Sequence, residues 1–275
     1  MEHTSFSKQV KEEITSLEIE SLAKKRALLA GYIRASGSVV FRNKRSIILL
    51  PSENAKISKY IYQLLNDVYL CDAHIDFEKK LKRTVYTVTV SNKADVILED
   101  LDISFLEGKI SKAIVYDDDT IAGYLSGVFL ASGSINSPST SNYHLEMSLN
   151  DENHAKWLTH LFPRYKHTSI EPKMIQRRNK WVIYLKKSDQ IAEFLLLVGA
   201  ISSCMEYENV RIDRDYHNSA NRLTNLDTAN MSKTVEAGKR QAKEIKELIA
   251  KFGLEGLGNP KTQMVAKYRL DYDSS

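Results

Sequence analysis

The stretch Leu29-Ala30-Gly31-Tyr32-Ile33-Arg34-Ala35-Ser36-Gly37-Ser38 returns as Leu125-Ser126-Gly127-Val128-Phe129-Leu130-Ala131-Ser132-Gly133-Ser134. Each copy is typical of a helix that is ended by a C′ glycine. A doubled helix-to-turn element predicts two similar half-domains related by a pseudo-twofold axis. Residues 27–52 and 120–145, which surround the copies, contain no Asp or Glu. The repeat therefore predicts the fold, and the missing acids restrict the chemistry.

The same order of elements follows each copy, as helix, two strands, helix, two strands, helix. In the first half, Ser52 is the predicted cap of a helix that ends near Tyr69. In the second half, Asp151 is the predicted cap of a helix that ends at Leu161. The other predicted segments are the repeat helices 23–36 and 120–132, the strands 39–41, 47–50, 75–77, 84–90, 144–149, 168–176 and 181–185, and the helices 93–101 and 188–200.

Small residues recur four positions apart in both repeat helices. Gly31 and Ala35 form such a pair in the first helix, and Gly127 and Ala131 form one in the second. A stripe without large side chains lets two helix backbones approach closely. We therefore expect the repeat helices to form the interface between the halves. Before the first copy, 7–17 reads as a helix capped by Ser7.

Beyond residue 202 the sequence becomes polar and helical. A charged and aromatic segment, 203–218, is followed by Asn221-Arg222-Leu223-Thr224-Asn225-Leu226-Asp227-Thr228-Ala229-Asn230. Asn and Asp often cap helices and form polar turns, so this segment is interpreted as a buried polar turn with Asp227 as a cap. A long helix then extends to about Phe252, a glycine-rich linker covers 253–260, and 261–270 reads as a short last helix.

Composition narrows the class of protein. The 275 residues are 43% hydrophobic and 27% charged, as in ordinary globular proteins. The sequence shows neither a signal peptide nor a membrane span, and Cys71 and Cys204 have no CxxC neighbour, which predicts a cytoplasmic protein. The spacing of the histidines matches no zinc pattern, so no metal or cofactor is expected. A net charge of +4 and a pI near 8.8 permit a nucleic-acid partner.

Basic residues cluster at three of the predicted strand-pair turns. A two-stranded ribbon fits the major groove of DNA, where Arg reads guanine and Lys contacts phosphate. Basic turns are also common as solvated surface that protects sheet edges, and each single cluster has that alternative reading. The fourth turn, 136–140, carries no charge. The candidate DNA-binding residues are Arg42, Lys44, Arg45, Lys79, Lys80, Lys82, Arg83, Arg177, Arg178 and Lys180, together with Arg222 as a phosphate contact.

Leu29 to Gly37 resembles the LAGLIDADG phrase of homing endonucleases. The opening Ser5-Phe6-Ser7-x-x-Val10-Lys11-x-Glu13, the segment 127–146 and the signature 221–230 resemble the WhiA family of bacterial DNA-binding regulators. The resemblance implies an α+β fold, with a duplicated αββαββα LAGLIDADG-like domain and an all-α C-terminal region with a partial helix-turn-helix. It further implies a transcriptional regulator that is linked to sporulation, or to cell division and chromosome segregation, and is associated with the nucleoid.

On this resemblance, the chain divides into an N-terminal helix (1–20), two LAGLIDADG-like halves (21–104 and 105–202), a helical linker that starts the C-terminal domain (203–258), and the first helix of an incomplete helix-turn-helix (259–275). Five residues follow Leu270. A shortened chain and a member without a recognition helix both fit that pattern.

Ser36 and Ser132 stand where the nuclease phrase carries its acid. Mg²⁺ in such nucleases is held by carboxylates from both repeat helices, and a neutral hydroxyl is a poor ligand for this hard ion. We therefore expect a non-catalytic protein without catalytic residues. Only distant acids such as Glu53 and Glu146 could rebuild the two sites.

Three classes of function remain open from the sequence. The first is a non-catalytic regulator that binds double-stranded DNA and has no membrane partner, with other regulatory proteins as further partners. The second is a metal-dependent homing endonuclease or RNA maturase, which the missing acids oppose. The third is a protein-interaction scaffold that no longer binds DNA specifically. Steep weakening of DNA binding with salt separates the first class from the third.

Overall fold

The computed structural model describes residues 5–42, 45–81, 83–104, 113–140, 142–166 and 168–271. A short helix α1 (Phe6–Ile14) precedes the two halves. The first half is α2 (Leu22–Ser36), β1 (Ser38–Arg42), β2 (Arg45–Ser52), α3 (Ala55–Tyr69), β3 (Ala73–Lys80), β4 (Arg83–Val90) and α4 (Ala94–Asp100). The second half is α5 (Asp118–Ser132), β5 (Gly133–Ile135), β6 (Leu145–Leu149), α6 (Glu152–Leu161), β7 (Lys173–Arg177), β8 (Lys180–Leu185) and α7 (Ser188–Leu197). The predicted element order is confirmed in both halves.

Each half contains one antiparallel four-stranded sheet, and the strand orders β1-β2-β4-β3 and β5-β6-β8-β7 are equivalent. Side chains alternate between the two faces of a strand. One face of each sheet is buried, as shown by Ile48 and Leu50 in the first sheet and by Leu145 and Met147 in the second. We call the opposite face of each sheet its open face.

The two halves meet through α2 and α5, which come close enough to bring backbone against backbone. A Cβ atom added at Gly31 would lie 2.2 Å from the carbonyl oxygen of Tyr124. A Cβ atom added at Gly127 would lie 2.0 Å from the carbonyl oxygen of Leu28. Gly127 and Tyr124 follow Gly31 and Leu28 at the same separation in sequence, so the contact is reciprocal. Such reciprocity is the mark of a twofold arrangement, which here relates the two halves of one chain.

The small-residue stripe extends beyond the predicted positions. Gly31 and Gly127 are confirmed at the closest approach, and a further close contact lies one turn before each of them, at Ala27 and Gly123. A Cβ atom on Gly123 would meet the carbonyl oxygen of Lys24 at 2.8 Å and the Cβ of Ala27 at 3.5 Å. The tight stripe therefore includes Ala27–Gly31 against Gly123–Gly127.

The glycines that end α2 and α5 also act differently from the prediction. Gly37 and Gly133 have extended backbones, with φ of −71° and −76°, and are not left-handed C′ glycines. A Cβ atom at Gly37 would lie 2.4 Å from the carbonyl oxygen of Ile33, and one at Gly133 would lie 2.2 Å from the Phe129 ring. Glycine is required there because the chain turns directly from helix into strand against its own last turn.

Two predicted helix caps were wrong by two residues. Ser5 caps α1 in place of Ser7, with its hydroxyl accepting from the Lys8 amide. Asn54 caps α3 in place of Ser52, which is still the last residue of β2. The Asp151 cap of α6 is confirmed, with the Asn153 amide donating to its carboxylate at 2.8 Å. Cap residues satisfy backbone amides that the first helical turn leaves without partners.

Contacts divide the chain into two units, residues 1–211 and 212–275. α8 (Ile201–Phe252) is one continuous helix, and 221–230 lies exposed in its interior. The predicted buried polar turn with an Asp227 cap was therefore wrong, because the helix continues through it. α9 (Pro260–Asp271) confirms the last predicted helix. Within the second unit, Ala242 and Ala266 are buried. Among the described residues, we find no helix with the length and apolar character needed to cross a membrane.

Candidate nucleic-acid interface

Four strand pairs join strands that are consecutive in the sequence, and three of these pairs end in two cations that lie directly opposite each other. Arg42 faces Arg45, Lys80 faces Arg83, and Arg177 faces Lys180 in the strand register. The alternation of buried residues places all three pairs on the open faces of the sheets. We call them the tip cation pairs. Like charges that face each other across two strands destabilise the strand pairing. An anion bound between the two cations would reduce their repulsion.

The tip cation pair of β3 and β4 is partly neutralised by acids. The Lys80 ammonium lies 3.4 Å from the Glu78 carboxylate, and Arg83 forms an ion pair with Glu53. Asp76 shares the open face with Glu78 on the same edge strand. These exposed acids reduce the attraction of this part of the first sheet for a polyanion.

The open face of the second sheet carries a cation that the sequence interpretation missed. Lys173 lies opposite Tyr184 in the register, on the same face as Arg177 and Lys180. One acid, Glu146, shares this face and contacts Arg177 at 3.4 Å. The predicted strand 168–176 begins only at Lys173 in the structure, and the two-residue alternation of Lys173, Ile175 and Arg177 is the signal that could have placed Lys173 on this face.

Several candidate residues lie elsewhere. Lys79 is opposite Thr84 and therefore on the helix-covered face of the first sheet. Arg178 occupies the turn between β7 and β8 with a left-handed φ of 53°. Arg222 is exposed in the interior of α8. Lys44 and Lys82 lie outside the described residues. The pair β5 and β6 ends in buried Ile135 and Leu145 and therefore carries no pair of opposed cations.

The two hydroxyls at the nuclease acid positions donate back into their own helices. Ser36 Oγ donates to the Tyr32 carbonyl at 3.2 Å, and Ser132 Oγ donates to the Val128 carbonyl at 3.3 Å. The distant acids do not replace them, because Glu53 pairs with Arg83 and Glu146 pairs with His144 and Arg177. Within the described ranges, no group of three or more His, Cys, Asp or Glu side chains could hold a metal ion.

A buried polar cluster joins the halves near these helix ends, and the sequence interpretation missed it. Arg34 on α2 is buried and forms an ion pair with Asp151, the cap of α6 in the other half. The Tyr124 hydroxyl lies 2.8 Å from His154 Nε2, which is also buried. Burial, reinforced by the nearby Arg34 charge, lowers the pKa of His154 to about 3. Asp151 was predicted only as a helix cap, and nothing in the spacing of the sequence indicated that it also pairs with Arg34.

Three WhiA family models match the chain in order. "WhiA N-terminal LAGLIDADG-like domain" matches residues 23–104, "WhiA LAGLIDADG-like domain" matches 121–217, and "WhiA C-terminal HTH domain" matches 220–275. A protein from Enterococcus faecalis called "Probable cell division protein WhiA" is 38% identical over 274 residues, which cover 98% of this chain and 86% of that protein. A Staphylococcus aureus protein of the same name is 35% identical over the same shares. The chain belongs to the WhiA family.

Solved WhiA structures share the fold. The crystal structure of full-length WhiA from Thermatoga maritima matches with a TM-score of 0.69 and 24% identity, over 98% of this chain and 88% of that one. The N-terminal LAGLIDADG domain of WhiA matches with a TM-score of 0.58 and 22% identity, over 72% of this chain and 92% of that one. The predicted WhiA resemblance and the predicted fold class, a duplicated LAGLIDADG-like domain with a helix-turn-helix region, are both confirmed.

Proposed function

We propose that this member of the WhiA family is a regulator that binds double-stranded DNA and does not cleave it. The observation that carries the proposal is the set of three tip cation pairs on the open faces of the two sheets. The match of residues 220–275 to a helix-turn-helix domain supports it independently. A helix-turn-helix reads bases in the major groove, while cations on the sheets would position the chain on the phosphate backbone.

The physical reason is that each tip cation pair costs stability in the free protein. Cross-strand pairs contribute about 0.2–1 kcal/mol, and like charges act against the strand pairing. DNA phosphates bound between the two cations convert this repulsion into attraction and release condensed counterions. The proposal includes Arg42, Arg45 and Lys180 as phosphate contacts, with a smaller contribution from Arg177, Lys80 and Arg83 because acids already pair with them.

The ends of α2 and α5 support the proposed absence of cleavage. Magnesium-dependent phosphodiester cleavage needs carboxylate oxygens that hold the ion against the phosphate. At both positions the described side chain is a serine whose hydroxyl is engaged by its own helix. Asp151, the acid that caps α6, is already neutralised by Arg34. These contacts support a scaffold that has kept its DNA-binding geometry without the groups for hydrolysis.

The biological setting is proposed from the relatives. Curated WhiA relatives are called probable cell division proteins, and we extend that role to this chain. Transcriptional control, links to sporulation and chromosome segregation, a cytoplasmic location at the nucleoid and further regulatory protein partners belong to the same proposal. The same proposal includes the division of the chain into residues 1–20, 21–104, 105–202, 203–258 and 259–275.

A salt titration tests DNA binding. The logarithm of the affinity should fall linearly with the logarithm of salt concentration, and each lost phosphate contact should reduce that slope by about 0.9. Replacing Arg42 and Arg45 together by Ala should therefore reduce the slope by about 2. The matched control replaces Lys56 and Lys59 on α3, which lie away from the open faces, and should leave the slope unchanged.

Three outcomes would contradict the proposal. A DNA affinity that does not change with salt concentration would favour the protein-interaction scaffold. An equal reduction of the salt slope in both double variants would favour it as well. Cleavage of plasmid DNA in Mg²⁺ or Mn²⁺ that disappears in a Glu53→Gln or Glu146→Gln variant would favour the nuclease. We expect intact plasmid under all these conditions, and gel electrophoresis of the supercoiled form measures it.

A further inference from the structure

We propose that residues 212–230 of α8 pair with the same residues of a second copy of this chain as a parallel two-stranded coiled coil. This interaction surface is separate from the proposed DNA contacts on the two sheets, and residues 220–230 of it lie within the segment that matches the helix-turn-helix domain. The first observation is that residues 215–234 are exposed at every position, although they form five turns of helix. In proteins, most of the stability of a helix comes from packing of one of its faces.

The composition of the segment makes a lone helix less stable still. Residues 215–234 include four Asn, three Thr and two Ser, which are weaker helix formers than Ala, Leu or Glu. The hydroxyls of Thr224 and Thr228 donate to carbonyls four residues earlier, a contact that slightly weakens a helix. A packed partner is therefore needed to hold this segment helical.

An exposed apolar stripe shows where the partner packs. Its large members are 59% exposed at Ile212, 71% at Tyr216, 61% at Leu223 and 57% at Leu226. With Ser219, they follow alternating steps of four and three residues, which is the spacing of a coiled-coil seam. In heptad terms, Ile212, Ser219 and Leu226 occupy d positions, and Tyr216, Leu223 and Asn230 occupy a positions. One seam therefore extends over nearly three heptads.

The charges beside the seam select a second copy in parallel orientation. Arg222 falls at a g position and Asp227 at the following e position, which face each other between the two chains of a parallel pair. Five residues separate them, so they are not neighbours on one helix. An antiparallel pair that places Leu223 opposite Leu226 would instead bring Asp215 towards Glu236. Asn230 at an a position also suits an in-register parallel dimer, where it faces its own copy.

The face of α8 opposite the seam carries asparagines and supplies positions for matched control variants. Asn218, Asn221 and Asn225 lie there at steps of three and four residues, about half a turn away from the seam. They would remain in solvent in the dimer. The pairing also gives Arg222 a protein partner in place of the phosphate contact predicted from the sequence.

Disulfide trapping tests the register directly. In the parallel dimer each Ser219 lies at the seam beside its own copy, so Ser219→Cys should form a linked dimer under mild oxidation. The control Asn221→Cys places the thiol on the outward face and should stay monomeric on a denaturing gel. The natural cysteines, Cys71 and Cys204, are buried and give little background. Equal linking of the two variants, or none at Ser219→Cys, would overturn the proposal.

Analytical ultracentrifugation tests the interface independently. The unchanged chain should sediment as a dimer, and the Leu223→Asp, Leu226→Asp double variant should sediment as a monomer. The control Asn221→Asp, Asn225→Asp adds the same charge on the other face and should remain dimeric. Arg222→Asp and Asp227→Arg should each weaken the dimer, whereas the two together should restore it. A chain that sediments as a monomer at every concentration would overturn the proposal.

Discussion

Gly127→Ala should be one of the most damaging single-methyl changes in this protein. The new Cβ atom would lie 2.0 Å from the carbonyl oxygen of Leu28 and 2.8 Å from the Tyr32 nitrogen. Ordinary contacts of a Cβ atom are 3.4 Å or longer. Because both obstacles are backbone atoms of α2, no side-chain rotation can relieve the clash. The helices must separate by more than an ångström along the interface that joins the two halves.

The size of the effect follows from two opposing terms. In an exposed helix, Ala is favoured over Gly by about 1 kcal/mol. Overpacking of a buried site costs about 1–3 kcal/mol when side chains can adjust, and more when they cannot. Since the clash is between backbones and both helices lie in the core, we expect a net loss of about 3 kcal/mol. For a unit of this size, that corresponds to a fall in melting temperature of about 6–12 °C.

Urea unfolding measures this loss, with tryptophan fluorescence as the signal. Trp157 and Trp181 are the two tryptophans of the chain, and both lie in the second half. Gly238→Ala is the matched control, because its added Cβ atom would meet nothing closer than 3.9 Å and it lies in the 212–275 unit, so it should leave this unfolding transition unchanged. The Gly31→Ala, Gly127→Ala double variant should cost less than the sum of the single variants, because one separation relieves both clashes. A loss below about 1 kcal/mol for Gly127→Ala would refute the close helix contact.

Three further predictions concern polar groups in the 1–211 unit. Asp151→Asn keeps a capping side chain but removes the carboxylate charge from the ion pair with buried Arg34, so urea unfolding should show a loss of about 3 kcal/mol; adding Arg34→Met should recover most of this loss, and strictly additive losses would contradict the ion pair. Glu13→Gln removes a carboxylate that accepts from the Ser203 amide and hydroxyl, which should cost about 1 kcal/mol and speed hydrogen exchange at the start of α8; unchanged exchange would contradict it. The pKa of His154 is lowered to about 3 in the folded protein, so as the pH falls the unfolded chain binds this proton first. The contribution of neutral His154 to the free energy of unfolding is therefore complete above pH 6.5 and is reduced by about 2–3 kcal/mol at pH 4.5. His154→Gln should flatten that part of the pH profile of unfolding.

The fold could be predicted because its signals are local and repeated. The phrase at Gly31 and Gly127 fixes two equivalent helices, and the alternating strands that follow fix two sheets. The exact contact between the helices could not be read from the phrase. Gly123 and Ala27 extend the stripe by one turn beyond the matched pattern, and the crossing geometry of the helices depends on every side chain between them.

The candidate interface was predicted only in part, because strand register is not visible in sequence. The basic turns were located correctly, but their composition could not show that Lys79 lies on the covered face or that Arg42 and Arg45 face each other. A shift of one residue would exchange the two faces of a strand. In α8 the local composition was misleading. The Asn-rich residues 221–230 predicted a turn, but the helix continues through them.

If the proposed function holds, the distance between the helix ends and the strand tips would allow cleavage and DNA binding to be separated in evolution. Ser36 lies at the end of α2, immediately before β1, whereas Arg42 lies at the far end of that strand. Four extended steps from Ser38 to Arg42 span about 13 Å, which exceeds the Debye length of about 8 Å at physiological salt. A carboxylate at the helix end would therefore have little electrostatic influence on the exposed tip cation pairs. Replacing it with a serine removes a magnesium ligand and leaves the attraction for phosphate unchanged. Selection could thus retain the open faces for binding while the helix ends became an ordinary part of the interface between the halves.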